Sequence, residues 1–206
     1  MDDSIQLSEL QRDVITELLN IGMGQAAASL SEMVKEEVKL SVPTVEMLSR
    51  SEAARSISDN PQKCIAAVKQ QFTGPFWGDA LLLFPQDKSL EVVRVLMKDE
   101  IPLDMLTELE QDALTEVGNI ILNGCLSSFG NSLTHEITSD LPVFMMGTAL
   151  EVLGGSPAIH GEGMVMFLRM EFALHSKDIN GYVAFILEIP SIEQFKQSVN
   201  TYLGQF

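Results

Sequence analysis

The chain has 206 residues and a formal net charge of −16 at pH 7, and a surplus of that size repels nucleic acid and anionic membrane alike. No cluster of Lys and Arg offsets it locally, so neither nucleic-acid binding nor membrane insertion is expected. With 46% hydrophobic and 20% charged residues, the composition is that of an ordered globular protein long enough to bury a full core.

The N-terminal MDDSIQLSEL lacks the positive segment and apolar stretch of a secretory leader. ALLLF is among the longest apolar runs, far short of the about 20 residues that a membrane helix needs. Two cysteines, Cys64 and Cys125, cannot build a disulfide framework, and two reduced, buried thiols in a cytoplasmic protein are expected. Ser8 followed by Gln11 is a capping-box signature and predicts a helix from near Ser8. Leu7, Leu10, Val14, Leu18 and Ile21 share one stripe at helical spacing and are expected to form its buried face. The pattern continues through Ala26, Ala27 and Ala28 and fades near Val34.

EVKLSVPTVEML alternates as a strand, and the polar or helical SRSEAARSISDN follows as an insertion. Strands at CIAAVKQQF and GDALLLF and an amphipathic helix at SLEVVRVLMKDE complete the first half. Beyond Ile101-Pro102 the order begins again. A capping box at Thr107 and Glu110 opens a helix that runs to about Asn131, where Gly130 and Asn131 provide a stop. Strands at EITSDLPVFMMG, GMVMFLRMEFAL and GYVAFILEI follow, and SIEQFKQSVNTYL is the closing helix. The expected architecture is a layered α/β (α+β) fold. Residues 1–206 form a single domain of two homologous halves, about 1–101 and 102–206. Each half runs helix-strand-strand-strand-helix, and the two share one six-stranded sheet about a pseudo-two-fold axis.

A polar pattern also recurs. Asp13, Glu17, Asn20 and Pro43 reappear 99 residues later as Asp112, Glu116, Asn119 and Pro142, inside LSELQRDVITELLNI and LTELEQDALTEVGNI. Packing alone would keep the apolar positions of a duplication alike, and it gives little reason to keep an acid and an amide. Asp13, Glu17 and Asn20 stand at i, i+4 and i+7, on one helical stripe displaced roughly 100° from the expected buried face. Gly24, one turn beyond Asn20, leaves room for a visitor; the corresponding position in the second copy is Asn123. A carboxylate can pair with a cationic side chain, and a carboxamide can hold and orient a water molecule. Neither is a good nucleophile, so the pair suits the completion of another protein's active site, as an amide does for the attacking water in some GTPases. Asp13 and Asp112 also suit the helix dipole as first-turn acids, and Pro43 and Pro142 suit a structural role at a strand edge. Asn placed mid-helix twice is harder to account for by stability, because Asn is a mediocre helix former.

Other chemistries find little support. His135, His160 and His175 are scattered without metal-ligand spacing, so no metal site is expected. The glycines of NIGMGQAAAS lack the strand and the Lys-Ser/Thr ending of a phosphate-binding loop. Gly154-Gly155-Ser156-Pro157 reads as a turn.

The two motifs resemble the signature of the CheC/CheX/FliY family of chemotaxis phosphatases: Asp or Ser, Glu four residues on, Asn three further, and Pro after 22 intervening residues. Both copies match at every defined position, and length, duplication and element order resemble the CheC type across essentially the whole chain. A CheX-type chain would carry one copy, and a FliY-type chain would add a C-terminal switch-complex domain, which is not expected here. The resemblance implies hydrolysis of the aspartyl phosphate of the response regulator CheY. It implies that Glu17 and Glu116 engage the regulator's lysine while Asn20 and Asn119 orient the attacking water. Asp13, Pro43, Asp112 and Pro142 would support the motif. The family needs no cofactor of its own, the Mg²⁺ belonging to the regulator. CheD, a receptor deamidase, is a further possible partner. The rival reading is a non-catalytic adaptor that binds phosphorylated regulator, CheD or both.

Overall fold

The computed structural model describes residues 6–97, 108–133, 136–154, 164–174 and 177–204. The expected half boundary at Ile101-Pro102, the Thr107 cap, the turn residues after Gly154 and all three histidines lie outside them. In chain order the elements are α1 (Glu9–Val34), β1 (Val38–Ser49), α2 (Arg50–Ile57), β2 (Cys64–Thr73), β3 (Gly78–Pro85), α3 (Gln86–Met97), α4 (Glu108–Ser132), β4 (Thr138–Ser139), β5 (Val143–Thr148), α5 (Ala149–Val152), β6 (Met164–Leu174), β7 (Lys177–Leu187) and α6 (Ile189–Leu203).

One antiparallel sheet runs in the order β1-β6-β7-β3-β2-β4, with β5 also paired to β2. The long helices α1 and α4, with α3 and α6, bury one face of it. The short helices α2 and α5 pack together over part of the other. Both faces of the central strands are therefore covered. Ala80, Leu82 and Phe84 of β3 enter the large core, and Leu81 and Leu83 enter the small one. This is why ALLLF is continuously apolar where a half-solvated antiparallel strand would alternate. Phe72, Phe76, Phe129, Phe185 and Phe195 interlock edge-to-face at the centre of the large core.

The mixed layering is as expected, but among the described residues the sheet has seven strands rather than six. EITSDLPVFMMG is broken at Asp140–Pro142 into β4 and β5, because Pro142 has no N–H to donate to a ladder. The segment read as an insertion is α2, and it has a counterpart 99 residues on. Ser49 with Glu52 and Thr148 with Glu151 both form complete capping boxes. Hydrogen bonds from the cap residue, first from the Ser49 side chain and for Glu151 from the Thr148 backbone, hold both carboxyls below the ordinary range.

The buried face of α1 also differs from expectation. Leu10 and Ile21 are exposed and Val14 is half-buried; the interior face is Gln11, Ile15, Leu18, Leu19, Gly22, Met23 and Ala26. It is rotated roughly a third of a turn from the leucine stripe, at 100° per residue. The reason is that α1 packs against α4 as well as β1, and at that contact small residues are needed. The two helices run antiparallel: the Ser128 hydroxyl donates to the carbonyl oxygen of Leu18, and Gly22 faces Gly124. A Cβ on Gly22 would fall on the Gly124 carbonyl oxygen, and one on Gly124 would stand 2.7 Å from that of Gly22.

Gly124→Ala is therefore expected to cost about 1–3 kcal/mol through overpacking, read from urea denaturation. Cys125 adjoins this contact, and burial pushes its thiol up to about 12, whereas Cys64 is exposed rather than buried as expected. A thiol reagent should modify Cys64 at once and Cys125 only at the rate of opening. A second fast thiol in the folded protein would contradict the close crossing.

Candidate functional site

Asp13, Glu17 and Asn20 share one stripe of α1, and Asp112, Glu116 and Asn119 share one of α4. Measured from the observed interior face, each stripe lies roughly 150° away, farther out than expected. All four carboxylates are exposed, and among the described residues none of them forms an ion pair. A shallow cleft of ≈ 270 Å³ separates α1 from β1 in the first copy, lined by Arg12, Asp13, Thr16, Glu17, Thr44 and Glu46. It is rich in acceptors and fits a cationic side chain better than an anion. Gly24 is exposed with open space around it.

The two asparagines are half-buried, and they are held differently. The register of β1 against β6 slips between Ser41 and Thr44, leaving Val42 and Pro43 together opposite Met170. This is a bulge, and it frees the backbone of Val42 from the ladder. Asn20 takes up both groups. Its Oδ1 accepts from the Val42 N–H at 2.9 Å, and its Nδ2 donates to the Val42 carbonyl at 3.1 Å and to that of Thr16 at 3.0 Å. Both amide hydrogens of Asn20 are thus spent on backbone. The spacing from Asn20 to Pro43 acquires a physical meaning: the proline sits in the bulge that the asparagine closes.

In the second copy Pro142 lies at the break between β4 and β5, but Asn119 does not close that break. Gln70 of β2 does so, its Nε2 donating to the Asp140 carbonyl at 3.2 Å and to Asn119 Oδ1 at 3.3 Å. Asn123, in the place of Gly24, donates to Asn119 Oδ1 at 2.7 Å, and its own Oδ1 accepts from the Ser139 hydroxyl at 3.1 Å. Asn119 Nδ2 donates to no group among the described residues.

Two features of the site carry no local signal that identifies them. Gln70 was invisible as a lone glutamine within a strand. Leu10 and Leu109, also 99 residues apart, are 60% and 65% exposed beside Asp13 and Asp112. Their leucine identity placed Leu10 in the core; their repetition on the outer surface was the available signal. Leu141 and Val143 add exposed apolar surface at the second copy. Among the described residues no group of three or more His, Cys, Asp or Glu side chains could hold a metal ion. No helix there is long and apolar enough to cross a membrane.

The family model described as CheC-like matches residues 10–47, the stretch that holds the first copy from helix to bulge. Over 205 residues the chain is 23% identical to a Halobacterium salinarum protein with a provisional CheY-P phosphatase name, spanning 98% of this chain and 100% of that one. The solved FliY of Thermotoga maritima superposes with a TM-score of 0.76 at 20% identity, over 95% of this chain and 98% of that one. The chain is thus similar to members of the CheC/CheX/FliY family, in the first motif by the family model and over nearly its whole length by fold. It is also 27% identical over 140 residues to the flagellar motor switch phosphatase FliY of Bacillus subtilis, covering 66% of this chain and 35% of that protein, so it spans about a third of that relative. FliM in its complex with SpeE from H. pylori shares the fold, with a TM-score of 0.69 at 12% identity over 98% of this chain and 100% of that one.

The unequal bonding of the two amides gives a stability test. Asn20→Ala strands the Val42 N–H and carbonyl and is expected to cost about 1–3 kcal/mol. Asn119→Ala, which removes one acceptor from a wetter network, should cost less than half as much. Urea midpoints of the two variants check the order, and equal losses would contradict it.

Proposed function

We propose that this chain is a phosphatase that hydrolyses the aspartyl phosphate of CheY or a similar response regulator in chemotaxis signalling. The observation that carries the reading is the repeated outward stripe. An exposed glutamate and a half-buried asparagine stand one turn apart on two helices, in a pattern that core packing does not require. The match of residues 10–47 to the CheC-like family model supports it, as does similarity to relatives that carry CheY-P phosphatase names.

In this reading Glu17 or Glu116 pairs with a lysine of the regulator and draws its phosphorylated site against the helix. The carboxamide of Asn20 or Asn119 enters that site and holds a water in line with the phosphorus–oxygen bond. Water adds to phosphorus, the bond to the aspartyl oxygen breaks, and the regulator's carboxylate leaves with inorganic phosphate formed. The Mg²⁺ that neutralises the phosphoryl group is the regulator's own, and the phosphatase contributes position and hydrogen bonds. Leu10 and Leu109 give each contact an apolar anchor beside the acids. Two stripes on one rigid pair of helices would allow two regulators to be engaged in turn or together.

The rival reading is an adaptor that binds phosphorylated regulator, CheD or both without turnover. One observation favours it for the first copy, where both amide hydrogens of Asn20 are already spent.

Phosphate release from phosphorylated regulator with Mg²⁺ separates the two, with regulator alone as the baseline. Acceleration by the wild type that is lost in Asn119→Ala establishes the phosphatase. Binding without acceleration moves the adaptor reading ahead. Leu109→Ser is expected to raise KM about tenfold, the equivalent of about 1.4 kcal/mol of docking energy, while kcat stays within about twofold.

A further inference from the structure

Among the buried positions outside both motifs at which the two copies differ, one faces the strand interruption in each. Met170 of β6 stands opposite the bulge at Val42 and Pro43, and Gln70 of β2 stands opposite the break between β4 and β5. By register these are the same place in the two halves. It holds an apolar side chain in one half and a carboxamide in the other. Gln70 is 2% exposed, and a buried polar side chain is costly unless its hydrogen bonds are made. Its Oε1 has no partner among the described residues. Stability therefore does not account for a glutamine where methionine serves in the other half.

We propose that Gln70 is a positioning residue that turns the carboxamide of Asn119 so that its Nδ2 amino group faces the docked phosphoryl site. The proposal rests on the phosphatase reading. One group in this network cannot change direction. The Asp140 carbonyl only accepts, so the atom of Gln70 that meets it must be Nε2. The same Nε2 then offers its second hydrogen to Asn119, which must answer with Oδ1. Asn123 Nδ2 donates to that oxygen too, so both of its lone pairs are occupied. The Nδ2 of Asn119 is left with two hydrogens to give to a phosphoryl oxygen or to the oxygen of the attacking water.

A glycine makes the approach possible. A Cβ on Gly118 would come within 2.5 Å of the Val68 side chain on β2, and the corresponding residue of α1 is Leu19. Without that side chain α4 lies close over Val68, and the next residue, Asn119, reaches Gln70 on the same face of the strand. The second copy is accordingly set for donation before any partner arrives. The first copy would have to break hydrogen bonds to its own strand to do the same.

The test uses Gln70→Met, which keeps the volume and matches the other half. Its urea midpoint should equal or exceed that of the wild type, since a buried carboxamide oxygen without a partner is removed. On phosphorylated regulator its kcat should fall at least about tenfold toward the Asn119→Ala level, with KM within about twofold. The double variant Gln70→Met/Asn119→Ala should fall no further than Asn119→Ala alone. Without any regulator, the side-chain ¹⁵N–¹H₂ pair of Asn119 should shift in Gln70→Met. Unchanged kcat in Gln70→Met alongside loss in Asn119→Ala would overturn the proposal, and so would an unmoved Asn119 amide signal. If the wild type does not accelerate phosphate release at all, the phosphatase reading falls instead, and the amide signal still decides whether Gln70 holds Asn119.

Discussion

The close antiparallel crossing of α1 and α4 is the constraint on which the rest of the molecule depends. Gly22 and Gly124 let the two backbones meet without intervening side chains, and the Ser128 hydroxyl bonds to the Leu18 carbonyl beside them. Packed this tightly, the two helices lie together over one face of the sheet. Their interior faces are consumed by that contact and by the core beneath, so the acid-and-amide stripes are forced to the outer side. Asn20 lies at the β1 edge of the sheet, and Asn119 lies over β2, one strand in from the opposite edge that β4 and β5 form. The two stripes are thereby held outward on one support, with their four carboxylates exposed.

Within that frame the two copies of the motif use the same amide differently. At β1 the asparagine repairs a strand: a proline-containing bulge frees the Val42 backbone, and Asn20 satisfies it. At the β4–β5 break the repair is delegated to Gln70, and Asn119 is released from it. A buried glutamine costs stability, and its return is a second carboxamide with a defined orientation. The exposed leucines Leu10 and Leu109 complete the contrast with ordinary helix surface, since each stripe has charge, amide and an exposed apolar side chain side by side.

Much of this was readable from the chain, for identifiable reasons. The ends of α1, the course of the central strands and the repeated polar stripe all follow from local chemistry: a capping box, runs of apolar residues and an exact spacing. The phase of the interior face of α1 was not readable. Burial there falls on Gly22, Ala26 and Ala27, small residues that carry little hydrophobic signal, whereas the conspicuous Leu10 and Ile21 face outward. The split of EITSDLPVFMMG into β4 and β5 had a visible cause in Pro142, yet the apolar residues after it masked the break. The short helix α5 is a single turn, too brief for periodicity to reveal. Gln70 depends wholly on partners distant in sequence, Asn119 and Asp140, and no local pattern identifies it.

The central claim is that an outward carboxamide on α4 enters a phosphorylated receiver domain. The most direct measurement is a titration of ¹⁵N-labelled protein with a regulator carrying Mg²⁺ and beryllofluoride in place of the phosphoryl group, following the side-chain amides. The account predicts that the Asn119 Nδ2 signals shift and become protected from exchange on binding, with a smaller response at Asn20. Saturable binding that leaves the Asn119 amide unperturbed would contradict it, because the regulator would then be docking without the group assigned to its chemistry.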